Sequence, residues 1–173
     1  EILHHRMASA AFSQAHGINR HSAPRLTQLV VNVGIGRIKA QGGDDQPIRE
    51  GLRLLTGQQP QLRPARRAIA GFKLRAGQPV GLRVTLRGQR LDDFLTRLIH
   101  IVLPRVRDFR GIDRSVVTNG SLTFGLSDSS VFPELPPELP IFGLSISISS
   151  TASTAEELIE LLESVGFPFK KSV

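Results

Sequence analysis

The chain has 173 residues, of which 40% are hydrophobic and 21% are charged, and its formal net charge is +7. A chain of this length can bury a sizeable core, so we expect a soluble protein with a single domain over residues 1–173. The absence of cysteine excludes disulfides and thiolate-bound metals, and no apolar run reaches the roughly 18 residues that a membrane span needs.

The positive charge is concentrated in the middle third of the chain. Residues 63–114 contain twelve Arg and one Lys against four acids, a net charge of +9, whereas the other nine basic and eleven acidic side chains sum to −2. Arginine presents a planar fork that pairs with phosphate and stacks on bases. We interpret this segment as a nucleic-acid-binding surface, the alternative being a solvated charged face.

The first elements are a strand and a helix. Residues 1–20 carry a weak helical pattern and are expected to form an amino-terminal extension. A β-rich run over residues 25–33 places apolar side chains on one face. A helix then begins at Asp44 or Asp45 and ends before Gly57. The apolar side chains that share a face are Leu29, Val31 and Val33 on the strand, and Ile48, Leu52 and Leu55 on the helix.

Two strands and a loop are predicted in the basic segment. One strand is predicted over residues 61–69, and residues 82–87 alternate between apolar and polar side chains. Glycines and a proline between them predict a long mobile loop over residues 70–81. The alternation places two sets of side chains on opposite faces, with Leu82, Val84 and Leu86 toward a core and Arg83, Thr85 and Arg87 outward.

A long helix and a tight turn follow. Apolar residues at helical spacing predict a helix over residues 91–102, closed by Pro104. Asn119 and Gly120 predict a tight turn between two strands. Residues 133–140 are rich in proline and are expected to form a stiff surface connection.

The last elements complete the pattern of an α+β protein. Residues 144–149 alternate strictly between apolar residues and serine, as in a strand with one buried face. Thr154 and Glu157 have the spacing of a capping box, and Gly166 ends the helix that it opens. The predicted fold class is α+β, a mainly antiparallel sheet with helices packed on one face.

Catalytic and metal-binding patterns are absent from the sequence. The five histidines lack metal-ligand spacing, and Asp92 and Asp93 diverge on a helix, where an acid pair in the first turn suits the helix dipole. Gly34 and Gly36 lack the third glycine of a dinucleotide-binding loop. We therefore expect neither an enzyme nor a cofactor.

The candidate site is the outward face of the basic strands, where hydroxyl and amide groups can join the guanidinium groups. The chain has nine Phe but neither Trp nor Tyr, which favours folded RNA over stacked single strands. The arginines assigned to one layer of this face are Arg63, Arg66, Arg67, Arg83 and Arg87.

Seven segments match, in order, those of a known family. They are Pro24-Arg-Leu-Thr-Gln-Leu-Val-Val-Asn-Val-Gly-Ile-Gly36, Leu55-Thr-Gly-Gln-Gln-Pro60, Ala70-Gly-Phe-Lys-Leu-Arg75, Val84-Thr-Leu-Arg-Gly88, Leu103-Pro-Arg-Val-Arg-Asp-Phe-Arg-Gly111, Val131-Phe-Pro-Glu134 and Gly166-Phe-Pro-Phe169. The chain thereby resembles bacterial-type large-subunit ribosomal protein number five over about residues 20–170.

The resemblance implies a structural protein that binds 5S ribosomal RNA in the central protuberance of the large ribosomal subunit. In that family the outward face of the sheet holds the RNA. Other partners that the resemblance implies are large-subunit ribosomal RNA, neighbouring large-subunit proteins and a small-subunit protein across the subunit interface. The residues that it assigns to RNA hydrogen bonds are Asn32, Gln58, Thr85 and Arg87.

The resemblance also assigns a role to the loop over residues 70–81. In the family this loop extends toward transfer RNA in the peptidyl site. Residues at its tip in this chain are Phe72, Lys73 and Arg75.

One segment and one single residue depart from the family's pattern. The segment Val116-Val-Thr-Asn-Gly-Ser121 stands where Phe-Asp-Gly-Arg-Gly-Asn is usual, and Phe142 stands where Arg is common. Lysine is also rare relative to arginine. These departures indicate a divergent ribosome, so we expect a location in the mitochondrial matrix, with the bacterial cytoplasm or a plastid as the alternative.

Overall fold

The structure is a computed structural model that describes residues 22–40, 42–72 and 74–170, with the side chains of Ala40 and Phe72 left out. The predicted amino-terminal extension and Lys73 lie outside the described residues.

Six strands form one antiparallel sheet, and together with the helices they give the predicted α+β fold. The strands are β1 (Leu26–Gly34), β2 (Gln61–Pro64), β3 (Pro79–Leu86), β4 (Val117–Thr118), β5 (Ser121–Leu126) and β6 (Leu144–Ser150). Their order in the sheet is β2-β3-β1-β6-β5-β4. The α-helices are α1 (Gly36–Ala40), α2 (Gln46–Thr56), α3 (Gln89–Arg97), α4 (Leu103–Arg105) and α5 (Ala155–Ser164).

The chain divides into two compact units. The first comprises residues 1–29, 86–124 and 146–173, and the second comprises residues 30–85 and 125–145. The expectation of a single domain over residues 1–173 stays a prediction.

In the second unit, α2 has the predicted ends. Gly57 follows the helix with a φ of 63°, and its N–H donates to the carbonyl of Arg53 at 2.8 Å. At the start, Asp44 Oδ1 accepts from the N–H of Gln46 at 3.1 Å. Asp45 occupies the N-cap position, but its carboxylate makes no capping hydrogen bond and pairs instead with Lys39 and Arg49. Both aspartates therefore define the start of α2, by different means.

The alternation predicted for β3 is confirmed. Leu82, Val84 and Leu86 are buried, whereas Arg83 and Thr85 are half-buried on the opposite face. The apolar side chains predicted to share a face of β1, which are Leu29, Val31 and Val33, are buried as well. In β1 the alternation is incomplete, because Val30 on the other face is also buried.

The strand predicted over residues 61–69 is shorter than expected. β2 ends at Pro64, and the register with β3 shifts between Arg63 and Pro64. Proline has no N–H to donate to a strand ladder, which accounts for the end of regular pairing here. Consequently Arg66 and Arg67 lie in a bend beyond the strand.

The loop predicted over residues 70–81 also has different bounds. β3 begins at Pro79 rather than at residue 82, and a 3-10 turn occupies Ala70–Phe72. Ile69 and Leu74 exchange two backbone hydrogen bonds of 3.1 Å. The segment is thus a partly hydrogen-bonded hairpin extension between β2 and β3, which we define as residues 65–78.

In the first unit, the helix predicted over residues 91–102 is longer and interrupted. α3 continues into a π-helical turn at Leu98–Val102 and then into α4, which contains Pro104. The N–H of Leu103 donates to the carbonyl of Leu98, five residues earlier. Pro104 lies at the first turn of α4, where its missing N–H is tolerated, so the helix ends at Arg105 instead of closing at the proline.

The turn and the capping box predicted in the first unit are confirmed. Thr118 pairs with Ser121 across a two-residue turn in which Gly120 has a φ of 74°. Thr154 Oγ1 accepts from the N–H of Glu157 at 3.2 Å, and Glu157 Oε2 accepts from the N–H of Thr154 at 3.4 Å. These bonds satisfy donors at the start of α5 that the helix itself leaves unpaired.

We expect Thr154→Ala to lower the free energy of unfolding by about 1 kcal/mol, because an alanine N-cap cannot accept the hydrogen bond. Denaturation by urea, followed by circular dichroism, measures the loss. Ser153→Ala is the control, since Ser153 is exposed and takes part in the cap only through its backbone N–H. Equal stability of the two variants would contradict the capping role.

Candidate nucleic-acid interface

The second unit carries a polar face on β2 and β3. Arg83 and Thr85 are two residues apart on β3 and therefore share a face of the sheet. Arg63 of β2 pairs with Gly81 of β3, which is two residues before Arg83, so Arg63 belongs to the same face. Gly81 has no side chain, and a Cβ built there would meet the Cβ of Arg63 at 4.0 Å. We call the surface of Arg63, Arg83 and Thr85 the polar face.

Asn32 of β1 lines a shallow depression of about 540 Å³ in the second unit. Glycine and serine make up much of the lining, so peptide groups and hydroxyls are accessible there, and no lining residue is charged. The amide of Asn32 can donate and accept hydrogen bonds at this surface. The lining residues are Asn32, Gly34, Gly125, Leu126, Ser127, Gly143, Leu144 and Ser145.

Arg87 belongs to the first unit and is exposed. Its Nη2 donates to Oε1 of Gln28 at 2.7 Å, which orients the guanidinium. A guanidinium has five N–H donors, so most of them stay available for an added partner. Within the same unit, Thr123 Oγ1 donates to Ser147 Oγ at 3.0 Å and adds a pair of hydroxyls to the sheet surface.

The hairpin extension exposes three of the predicted cations, Arg66, Arg67 and Arg75. Backbone hydrogen bonds close its base, from Ala65 N–H to the carbonyl of Gln78 at 2.8 Å and from Gly77 N–H to the carbonyl of Ala65 at 2.9 Å. The prediction that Arg66 and Arg67 share one layer with the strand arginines is therefore wrong. They lie on the extension because β2 ends at Pro64.

Gln58 lies directly after α2, as predicted, and is half-buried. Its backbone is held by the hydroxyl of Thr56, which accepts from Gln58 N–H at 3.4 Å and lies 3.3 Å from its carbonyl oxygen. The Thr56 hydroxyl also donates to the carbonyl of Leu52 at 2.6 Å. Gln58 is thus anchored to the end of the helix.

Acidic side chains of the second unit neutralise three cations of its helices. Asp45 pairs with Lys39 and with Arg49, the latter at 2.6 Å, and Glu50 pairs with Arg53 at 2.5 Å. Within the described ranges, the candidate RNA-binding arginines have no ion pair of this kind. These unpaired cations are Arg63, Arg66, Arg67, Arg75, Arg83 and Arg87.

The chain contains an acidic segment, over residues 115–169, that was not predicted from the sequence. Residues 115–169 contain seven acids and no Lys, Arg or His, a net charge of −7. Of these acids, Glu156, Glu160 and Glu163 are exposed on α5. Counting charges over residues 115–169 alone shows the net negative charge. The sum over all residues outside 63–114 also includes basic residues and comes to only −2. The exposed glutamates of α5 repel phosphate, so α5 is not counted among the candidate RNA contacts.

Metal clusters and membrane-spanning helices are both absent from the part of the chain that the structure describes. No group of three or more His, Cys, Asp or Glu there could hold a metal ion. No helix there has the length and apolar character needed to cross a membrane.

Comparisons with known proteins cover both parts of the chain. The family model described as "Ribosomal protein L5" matches residues 19–75, and the model for the carboxy-terminal part of the same ribosomal family matches residues 79–169. The "Large ribosomal subunit protein uL5" of Thermotoga maritima is 46% identical over 156 residues, which cover 88% of this chain and 85% of the relative. That of Rubrobacter xylanophilus is 44% identical over 92% of this chain and 91% of the relative. "Large ribosomal subunit protein uL5c" of Heterosigma akashiwo is 44% identical over 89% and 87%.

The paired acid Asp45 gives stability a predictable pH dependence. Hydrogen bonding to Lys39, and then the bond and charge of Arg49, hold the pKa of its buried carboxyl below the usual value. A folded-state pKa that is lowered contributes stability above the unfolded pKa, and this contribution is lost as the pH falls through the lowered pKa.

We expect Asp45→Asn to lower the free energy of unfolding at neutral pH by about 1–3 kcal/mol. The difference from the wild type should shrink below about pH 4, where the unfolded carboxyl is protonated. Urea titrations at several pH values measure it. Asp44→Asn is the control, because asparagine also caps helices. A difference that stays constant with pH would rule out the paired carboxylate as its source.

Proposed function

Because this chain belongs to the ribosomal protein L5 family, as a structural and non-enzymatic component of the large ribosomal subunit, we propose that it binds 5S ribosomal RNA in the central protuberance. The proposed contacts are Arg63, Arg83 and Thr85 on the polar face, together with Arg87. Asn32 and Gln58 contribute hydrogen bonds, and Arg66 and Arg67 add phosphate contacts from the hairpin extension.

The observation that carries this proposal is the selective pairing of cations. Lys39, Arg49 and Arg53 on α1 and α2 are neutralised by Asp45 and Glu50, whereas the arginines proposed to bind RNA have no acidic partner among the described residues. An unpaired guanidinium keeps its charge-assisted hydrogen bonds for phosphate. The half-buried Thr85 and Arg83 add short-range contacts that depend on the shape of the RNA.

The hairpin extension is proposed to reach transfer RNA in the peptidyl site. Its base is closed by backbone hydrogen bonds, and its exposed arginines have no acid within residues 65–78. Phosphate contacts offset the entropy that is lost when such a segment is ordered. The proposed contacts are Phe72, Lys73 and Arg75.

Protein partners are proposed to dock on the exposed glutamates of α5, which are Glu156, Glu160 and Glu163, because acidic side chains attract basic protein segments. These partners comprise neighbouring large-subunit proteins and a small-subunit protein across the subunit interface. Large-subunit ribosomal RNA remains a partner of the basic part of the chain.

The compartment of this ribosome has one predicted location and two alternatives. A mitochondrial matrix location stays a prediction from the departures noted in the sequence. The relatives from Thermotoga maritima and Rubrobacter xylanophilus support the alternative of a bacterial cytoplasm, and the uL5c protein of Heterosigma akashiwo supports a plastid.

We expect Arg87→Ala and Thr85→Ala each to weaken binding of 5S ribosomal RNA by at least about fivefold, since a hydrogen bond to a charged group is worth more than about 1 kcal/mol. Filter binding at fixed salt measures the change. Arg53→Ala is the control, because it removes one charge from a cation that Glu50 already neutralises. Affinities of both test variants within about twofold of the control would exclude direct contact.

The hairpin extension should be mobile in the free protein. The amides of Arg66 and Arg67 lie in a bend, so we expect them to exchange rapidly with solvent. Amides of Ala65 and Gly77, which are hydrogen-bonded at the base, should exchange more slowly and serve as internal controls. Exchange at Arg66 and Arg67 should slow in ribosomes that carry transfer RNA in the peptidyl site. Strong protection in the free protein would count against an extension that is ordered by its ligand.

A further inference from the structure

The turn between β4 and β5 contains a reactive pair of residues that RNA binding does not use. Asn119 is followed directly by Gly120, which has no side chain to shield its backbone nitrogen. The pair lies in residues 116–121, the segment that departs from the family's pattern, and Asn119 stands where that pattern has Arg. The chemistry that this pair allows is therefore a property of this chain.

An asparagine side chain can react with the backbone amide of the next residue. The backbone nitrogen attacks Cγ of the asparagine, the amide proton is lost, and ammonia leaves as a succinimide ring closes. Water then opens the ring at either of its two carbonyls, which gives aspartate or isoaspartate. The net reaction consumes water, releases ammonia and converts the side-chain amide to a carboxylate. Because the reacting groups belong to adjacent residues, the attack is favoured by proximity.

Both reacting groups of this pair are free in the structure. The side chain of Asn119 is exposed, so water reaches its amide. Among the residues that the structure describes, none bonds to that amide, and none accepts a hydrogen bond from the N–H of Gly120. A protein hydrogen bond to either group would have to break before the ring could close. In this turn no such bond has to be broken.

The fold favours glycine at position 120, where a bulkier residue would slow the reaction. Gly120 has a φ of 74°, in the left-handed region that residues with a side chain rarely adopt. A Cβ built there would also lie only 3.1 Å from the carbonyl oxygen of Ala152. The carbonyl of Gly120 accepts from the N–H of Ser150 at 2.7 Å, which holds the turn against this segment. Packing therefore keeps glycine next to Asn119.

The turn can open locally, because β4 is short and lies at the edge of the sheet. β4 has two residues and is the last strand in the sheet order, so it pairs with β5 on one side alone. The hydroxyls of Thr118 and Ser121 lie 2.8 Å apart across the turn, on exposed or half-buried side chains. Short edge elements of this kind open at a low cost in free energy, which gives the amide nitrogen access to Cγ of Asn119.

We propose that Asn119 is a site of spontaneous deamidation, at which the folded protein forms aspartate and isoaspartate through a succinimide that includes the nitrogen of Gly120. The reaction needs water but neither an enzyme nor a ligand. It is independent of the proposed contacts with 5S ribosomal RNA, because none of those residues takes part. The new carboxylate adds a negative charge to residues 115–169, which contain no Lys, Arg or His to neutralise it.

Isoaspartate changes the hairpin as well as its charge. Its main chain runs through the former side chain and is longer by a methylene group. The register of β4 with β5 is set by a two-residue turn between Thr118 and Ser121, and a longer main chain no longer fits that turn. We expect the modified β4 to detach from β5 and to expose Val117, which is buried in the unmodified protein.

The test incubates the full chain at mildly alkaline pH and follows Asn119 by mass spectrometry. Cleavage by trypsin after Arg114 and after Lys170 releases a peptide that contains no glutamine and no asparagine other than Asn119. Deamidation raises the mass of this peptide by about 1 Da, and within it only Asn119 can undergo that reaction. Digestion is kept short, and a sample without incubation gives the background.

We expect the peptide of the wild type to gain this mass at a rate that rises with pH, because the deprotonated amide nitrogen is the nucleophile. Asn119→Gln should lower the rate at least about tenfold, since glutamine has to close a larger ring and its reacting carbon is less well placed. Ser153→Ala is the matched control at an exposed position outside the turn, and it should keep the wild-type rate.

The products and the folded state decide the outcome. Isoaspartate is detected by methyl transfer from S-adenosylmethionine, catalysed by an added protein-isoaspartate carboxyl methyltransferase. Isoaspartate in the folded wild type, with a lower urea midpoint for the modified fraction, supports the proposal. A mass gain in urea but not in the folded protein would overturn it, because the fold would then protect Asn119. Aspartate without isoaspartate would also overturn it, since water would then attack the side-chain amide directly.

Discussion

The interaction on which the rest of the structure depends is the burial of one face of β3. Leu82, Val84 and Leu86 are buried almost completely. Because successive side chains of a strand point to opposite faces, this burial directs Arg83 and Thr85 to the other face. A shift of the register by one residue would bury a guanidinium group and expose leucine, so packing and the candidate RNA contact are linked.

Positive and negative charges are concentrated in different parts of the chain. Residues 63–114 carry +9 and residues 115–169 carry −7. Within the basic part, Arg97 and Arg114 contact neighbouring groups. Among the described residues, the side chains of Arg105, Arg107 and Arg110 have no such contacts. Net charge therefore identifies the class of partner, and local pairing decides which cations can reach it.

Elements defined by neighbours in the sequence were predicted well. The capping box of Thr154, the glycine after α2 and the turn at Gly120 each depend on residues a few positions apart. Errors occurred where regular pairing is interrupted. β2 ends early because Pro64 lacks an N–H, and the long helix continues past its expected end because a π-helical turn accommodates Pro104.

Only part of the candidate site was predicted, because only part of it is determined by neighbouring residues in the sequence. The outward positions of Arg83 and Thr85 follow from alternation, and the match to the family follows from ordered segments of the chain. The assignment of Arg66 and Arg67 to the layer of strands required β2 to continue, which it does not.

The amino-acid sequence by itself determined which side chains share a face, where most helices begin and end, and to which family the chain belongs. These properties arise from steric and hydrogen-bonding preferences over a few residues. Only the tertiary structure decided that Arg114 pairs with Glu163, that Val30 is buried, and that residues 168–170 bond to Ile112. Such properties depend on partners far apart in the chain, which no local pattern specifies.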